Sequence, residues 1–337
     1  IENGEMQKQL HFRIQKEEET IMRKMTRFTS MAMAAAMMMG LVACGSSSTP
    51  TATTAAASTT TAAATTTAAA GEETTAAAAE GGDASSETGA DTQAIMDRGV
   101  LRVGVKDAVQ GFGYKDPLTG EYSGMEISLA QDIAKDLGVD VEFTTVTAAT
   151  RTELLDSGDI DCVLATFTIT DERKKSWDFT TPYYTDHVGV LVEKSSGITD
   201  LTGLKDKVVG VSSGSTSAKS LVSAMVDNKV LSGDGFDPET FDPATWTDGV
   251  SFKQYDDYPT ISTALSAGEV DAFCVDKSIL AIYHTDDRDY IKEEFAPQEY
   301  GIATTKGSDF STYCENEIQK FLSDGTVDSL KAENNLD

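Results

Sequence analysis

Residues 93–337 are expected to fold as an α/β protein of two βαβ lobes joined by two crossing strands, and three stretches lead to that reading. Residues 99–146 run strand, loop, helix, glycine, strand, which is the order of a parallel βαβ unit. Residues 208–275 repeat that order, with a glycine turn ahead of the first helix. Between them, residues 162–184 (DCVLATFTITDERKKSWDFTTPYY) bring a core strand and a string of hydroxyls and charges to one sheet rim. Such a rim is where open α/β folds bind small ligands.

Taken in order, Leu101, Val103 and Val105 alternate along a strand that ends at Lys106. A loop carrying Gly111-Phe112-Gly113-Tyr114 follows, then a turn at residues 116–120. Ile127, Leu129, Ala130, Ile133, Ala134 and Leu137 have helical spacing, stopped by Gly138, and residues 139–146 form the next strand. Residues 147–158 read as a helix with Thr147 ahead of it and Leu154-Leu155 facing inward. Arg151 sits in its first turn, where the helix dipole disfavours a cation. A local rule broken at a sheet rim points to function, and the competing reading is an exposed arginine paired with Glu153 or Asp156.

The apolar run at residues 162–167 suits a buried strand, and Thr170 can cap a short helix that carries Asp171 and Glu172 ahead of Arg173. Pro182 fixes the exit into residues 187–193, read as the first crossing into the second lobe. There, residues 208–212 form a strand and Gly214-Ser215-Thr216-Ser217 turn into a helix reaching Asn228, whose first amides can hold a carboxylate. Residues 236–248 make an acidic surface excursion with Trp246. A strand at 252–255, a helix at 260–267 and a strand at 270–275 come next. This last strand ends at Asp276 and is read as the return crossing. Residues 301–305 and the helices from 310 onward go back to lobe one, so the boundaries are 93–186, 187–280 and 281–337.

Ahead of the domain, residues 1–21 are charged and lack apolar periodicity, and are expected to be translated upstream sequence. From Met22 a basic stretch precedes an apolar run at residues 31–43, of signal-peptide length and too short to span a bilayer. It ends Leu41-Val42-Ala43-Cys44, which resembles a bacterial lipobox with Cys44 as the lipidated residue; a plain signal peptide cleaved near Ala43 is the alternative. Residues 44–92 are Thr/Ala-rich and cannot bury a core, as expected of a disordered spacer. The net charge of −28 argues against nucleic-acid binding and against a polybasic grip on lipid. No cysteine or histidine spacing suggests a metal site, and no cofactor is expected. Cys162, Cys274 and Cys314 read as buried thiols.

The strand leading to Thr168-Ile169-Thr170, then Glu172-Arg173 and a later Phe-x-x-Pro-Tyr, closely resembles the signature of the extracytoplasmic amino-acid-binding proteins of ABC importers, solute-binding family 3. The resemblance covers nearly all of residues 99–337 and extends to Gly124-Met125-Glu126, the connector at 201–207, Ser213-Gly214-Ser215-Thr216 and the stretch from Ala264 to Ala272 leading to Asp276. It implies the type II periplasmic-binding-protein fold with a two-strand hinge. It also implies a monomeric receptor, lipid-anchored outside the cytoplasm, that closes on an amino acid and hands it to permease subunits. No P-loop is present in the sequence, so ATP hydrolysis falls to a separate partner.

An amino acid offers a carboxylate and an ammonium on one carbon, and burying either unpaired is costly. Arg173 supplies a bidentate fork for the carboxylate, aided by Thr168 and the amides of Ser215 and Thr216, and Asp276 accepts the ammonium; the resemblance assigns these roles. On the residues alone, Arg173 could be a solvated member of a charge run, and Asp276 could cap the helix at 277–283. Phe112 and Phe167 are expected to wall the aliphatic part, with backbone contacts from Thr166. Arg151 and Lys106 lie where receptors selective for acidic amino acids place cations, which implies L-glutamate first, aspartate second and glutamine weaker, with another polar amino acid such as cystine as the alternative. Enzymatic rivals are a hydrolase built on Gly210-Val211-Ser212-Ser213-Gly214 with Asp276 and His284, and a dehydratase on the same fold. A sensory receptor domain is a further class.

Overall fold

In the computed structural model, which describes residues 89–336, the chain builds two α/β lobes, each around its own sheet. The upstream segment, the signal peptide, Cys44 and residues 44–88 of the expected spacer lie outside the described residues. Helix α1 (Ala90–Arg98) begins ahead of the boundary drawn at residue 93, and Asp309 fixes its start by accepting from the Asp91 and Thr92 amides.

The first sheet takes β1 (Val100–Val105), β5 (Asp140–Thr145), β6 (Cys162–Leu164), β7 (Trp177–Phe179) and β14 (Ala303–Thr305), in the order β5-β1-β6-β14-β7. β1 pairs in parallel with both β5 and β6, as the βαβ order requires. A small antiparallel sheet of β2 (Ala108–Val109), β3 (Gly113–Lys115) and β4 (Tyr122–Ser123) flanks it. Helix α2 (Met125–Leu137) buries Ile127, Leu129, Ala130, Ile133, Ala134 and Leu137, the stripe expected from the spacing, and ends at Gly138 with φ +73°. Helix α3 (Thr150–Asp156) follows, with Thr147 Oγ1 accepting from the Thr150 amide.

The second sheet runs β10-β9-β11-β8-β12, with β13 on the other stretch of β8. Its strands are β8 (Tyr184–Glu193), β9 (Lys207–Ser212), β10 (Val250–Tyr255), β11 (Ala272–Asp276), β12 (Arg288–Tyr290) and β13 (Phe295–Tyr300). Helices α4 (Ser217–Asp227), α5 (Tyr258–Ser266) and the short α6 (Lys277–Leu280) complete the lobe. The core packs Val188, Val190, Val209, Val211, Leu221, Val222, Met225 and Cys274. Cys162, Cys274 and Cys314 are buried, free thiols. Helices α7 (Asp309–Ser323) and α8 (Thr326–Glu333) close the chain, and Ile318, Phe321, Val327 and Leu330 join the core of the first lobe.

The expected return crossing at residues 270–275 is corrected. β11 lies inside the second sheet, parallel to β9 and antiparallel to β8. The chain returns on β13, antiparallel to β8 from Phe295↔Val188 to Tyr300↔Tyr184, so the second lobe extends to about residue 300 rather than 280. Arg288 secures this added segment: buried, it donates to Glu193, to Ser262 and Ser266 of α5, and to the Tyr283 carbonyl. β8 and β13 are thus the two strands of the hinge. The excursion at 236–248 is irregular, as expected, yet holds its own apolar knot in which Phe236, Phe241 and Trp246 pack ring to ring.

Candidate functional site

On the side of the first lobe, β6 stops at Leu164 and Thr166 takes φ +45°, a conformation that a β-branched residue adopts only under constraint. The constraint is visible. The Thr166 amide donates to Glu126 Oε1 at 2.6 Å, and the Ala165 and Thr166 carbonyls accept from Arg151 Nη1 at 2.9 and 3.3 Å. Arg151 is therefore buried, only 3% exposed, and is held by strand-end carbonyls rather than by Glu153 or Asp156. Its guanidinium lies 3.8 Å from the centre of the Phe167 ring, and its Nε has no partner. Burial lowers its pKa to about 10, so it stays charged at neutral pH.

Arg173 enters from the 3₁₀ turn at Arg173–Lys175, whose first amide is taken up by Thr170 Oγ1 at 3.1 Å. One guanidinium nitrogen donates to the Thr168 carbonyl at 2.7 Å and the other crosses to the Gly214 carbonyl of the second lobe at 3.0 Å. The lobes can approach this closely because Gly214 sits at φ +73°, and a Cβ there would fall 2.7 Å from the Ala148 carbonyl. Burial, with Arg151 nearby, lowers the Arg173 pKa to about 9. Thr168 of one lobe and Thr216 of the other both donate to Gln298 Oε1, at 2.8 and 2.7 Å. Gln298 therefore ties the two hydroxyls expected at the ligand carboxylate to the hinge.

From the second lobe comes Asp276, at the carboxyl end of β11. The rival reading of Asp276 as a helix cap does not hold: its side chain accepts nothing from the α6 amides and instead accepts from Tyr300 Oη at 2.6 Å. Burial, reinforced by the Asp186 carboxylate, raises its pKa to about 7. Tyr258, at the start of α5, is buried between Asp276, Arg151 and Thr166. Lys106 is also buried; its ammonium lies 5.3 Å over the Tyr258 ring, and desolvation with Arg151 nearby lowers its pKa to about 7.

Arg151, Thr166, Thr168, Arg173, Ser215, Thr216 and Asp276 thus line one interlobe cavity of about 10 Å³, the room of a single water. Ser215 Oγ and Ser217 Oγ are buried there without partners, as is Arg151 Nε. Arg173, Ser215 and Thr216 also line an adjoining cleft of about 390 Å³, bordered by Pro238, Glu239, Phe241 and Pro243 of the excursion. Phe167 borders this cleft. Phe112 is a correction: it is fully buried away from the cavity, edge-on to Tyr184 and Tyr300 of the hinge at 4.9 and 5.7 Å.

Sequence reasoning missed Glu126, Tyr258, Gln298 and Tyr300. Glu126 is completely buried, accepts from Tyr183 Oη at 2.6 Å as well as from Thr166, and leaves Oε2 unpartnered; burial raises its pKa against those two bonds. The hydrolase constellation is not assembled. Asp276 is bonded by Tyr300, while His284 lies 3.9 Å from Asp289 and stacks on Tyr290.

Residues 101–334 match the model of the bacterial extracellular solute-binding proteins, family 3. The chain is 34% identical over 258 residues to the ABC transporter glutamine-binding protein of Bacillus subtilis (strain 168), covering 74% of this chain and 86% of that one. It is 29% identical to a glutamate-binding protein of Corynebacterium efficiens, covering 74% and 83%. Among solved structures, an ancestral arginine-binding protein bound to arginine matches with a TM-score of 0.59 at 33% identity, covering 70% of this chain and 98% of that one.

Proposed function

Because the chain belongs to the bacterial extracellular solute-binding proteins of family 3, and is accordingly a receptor for an ABC amino-acid transporter, we propose that its ligand is an acidic amino acid, L-glutamate ahead of L-aspartate. The observation that carries this reading is the charge balance of the cavity. Among the residues that line the cavity, two guanidinium groups, Arg151 and Arg173, stay charged at neutral pH around one carboxylate, Asp276, that is only partly ionised, while burial pushes Glu126, behind Thr166, toward its neutral form. A ligand with one net negative charge offsets the surplus, whereas a cationic side chain adds to it.

In this reading the α-carboxylate sits on Arg173 with the hydroxyls of Thr168 and Thr216 and the Ser215 amide, and the α-ammonium sits on Asp276. The distal carboxylate meets Arg151, with Lys106 behind it. Phe167, against which both guanidinium groups pack, supports the aliphatic stem. The ligand bridges the lobes, shifts the population toward the closed form, and permease subunits with a separate ATPase read that form. The receptor works as a monomer outside the cytoplasm, held at the membrane by lipid on Cys44. Glutamine is the second reading, favoured by the similarity to glutamine-binding relatives.

Calorimetric titration with L-glutamate, L-aspartate, L-glutamine, L-arginine and L-cystine tests the assignment. The acidic ligands are expected to bind first. Tight binding of a neutral or basic ligand would keep the receptor and discard the role given to Arg151, and binding of none would overturn the reading.

A further inference from the structure

Behind the ligand cavity, two buried carboxylates meet at one phenol. Tyr300 Oη lies 2.6 Å from Asp276 Oδ2 and 3.3 Å from Asp186 Oδ2, and the two aspartates are 6% and 7% exposed. The three residues come from three different strands, Asp186 from β8, Tyr300 from β13 and Asp276 from β11. One hydroxyl has one proton to give, so it cannot satisfy both carboxylates at once. Asp186 has further donors in the amide and hydroxyl of Ser278 and in the His187 amide. The Asp276 carboxylate accepts only from Tyr300 among the hydrogen bonds of the described residues.

We propose that Tyr300 and Asp186 are positioning residues for the ammonium-binding carboxylate, and that the Asp276–Tyr300–Asp186 cluster holds a proton which the arriving ligand ammonium displaces. The inference rests on Asp276 being the ammonium acceptor. The balance is simple: protonated Asp276 meets the ligand's –NH₃⁺, keeps the O–H electron pair as a carboxylate, and releases one proton. That proton passes to Tyr300 Oη while the tyrosine's own proton moves to Asp186. Asp186 lines a separate crevice of about 590 Å³ with Lys277, Ser278 and Tyr290, which shares no lining residue with the ligand cavity. The proton therefore has an exit when the lobes are shut.

The other titratable groups facing Asp276 are Arg151 of α3, Arg173 of the 3₁₀ turn, Lys106 at the end of β1, Tyr258 of α5 and Cys274 of its own strand, and Tyr290 of β12 faces Asp186. Lys106 titrates in the same range as Asp276, and it takes up a proton on binding a distal carboxylate where Asp276 releases one to the ammonium. L-glutamine has no distal carboxylate to draw a proton onto Lys106, so its proton count reports Asp276, and the difference between the two probes reports Lys106.

The test is calorimetry at pH 7 on the full chain, in two buffers of different ionisation enthalpy, with L-glutamate and L-glutamine as probes because both carry the same α-ammonium. Asp186→Asn removes the charge behind Asp276, so fewer protons are released than in wild type and affinity at pH 6 tightens about threefold. Tyr300→Phe removes the bond to the ionised carboxylate, so more protons are released and affinity weakens about tenfold. A merely structural role would not move the proton count in opposite directions. Should one variant not fold, the sign of the shift in the other against wild type still decides. Unchanged proton counts, or shifts of the same sign, alongside loss of binding in Asp276→Asn, would overturn the inference and leave the ligand reading standing. Full affinity in Asp276→Asn, or binding of neither probe, would overturn both.

Discussion

Arg173 shows how one side chain can serve both ligand and closure. Its fork reaches the Thr168 carbonyl of its own lobe and the Gly214 carbonyl of the other, with its plane near the Phe167 ring. A lysine keeps the charge but offers a point donor without the planar fork. Arg173→Lys is therefore expected to weaken amino-acid binding by at least tenfold while changing stability little, as read by calorimetry beside urea unfolding. At this scale the sequence was legible wherever a residue broke a local rule: Arg151 stood out because a helix start disfavours a cation. Glu126 stayed hidden for the converse reason, since an acid in the first turn of α2 satisfies that same rule while being completely buried. Phe112 misled because a phenylalanine between glycines looks like a loop wall, and only the fold shows it turned toward the hinge aromatics.

Among the elements, strands and helices with clean periodicity were readable nearly to their ends, as α2 and its Gly138 stop illustrate. The hinge was half readable. β8 carries an unbroken apolar run, but β13 reads FAPQEY, with Pro297 inside it and a register shift between Phe295 and Pro297, so nothing in its pattern announces a strand. Missing β13 hid Gln298 and Tyr300, which its alternation turns toward the cavity side chains. The sequence of the turn before α4 suits a carboxylate cradle, yet its first demand is steric. Gly214→Ala would place a methyl 2.7 Å from the Ala148 carbonyl in a left-handed conformation, so closure is opposed even though lobe two itself folds. Binding is expected to weaken about tenfold or more through faster ligand release, measured by stopped-flow fluorescence, with a nearly unchanged unfolding midpoint. An unaltered release rate would show that the lobes need not approach there.

Over the whole molecule, two lobes were foreseeable because each βαβ set closes its own sheet, but their meeting surface was not, since it joins residues far apart in the chain. That surface gives the ligand-free protein an unusual pH response. Asp276 is raised to about 7 in the folded state, so between pH 5 and 7 the native protein holds a proton that the unfolded chain has lost, and stability falls as pH rises. Lys106 is lowered to about 7, so between pH 7 and 9 the unfolded chain holds the extra proton and stability recovers. Urea denaturation is expected to show a shallow minimum near pH 7, lower by roughly 1–3 kcal/mol than at pH 5. A monotonic rise through that range would contradict the burial of this pair.

Selectivity for an acidic ligand depends on Arg151 meeting a second carboxylate. The direct measurement is the ratio of L-glutamate to L-glutamine affinity in the wild-type protein and in Arg151→Ala, both by calorimetry at pH 7. The expected result is a wild-type preference for glutamate of at least tenfold that collapses to near unity in the variant, with residual binding of glutamine intact. A wild-type preference for glutamine, or a glutamate preference that survives the loss of Arg151, would contradict it.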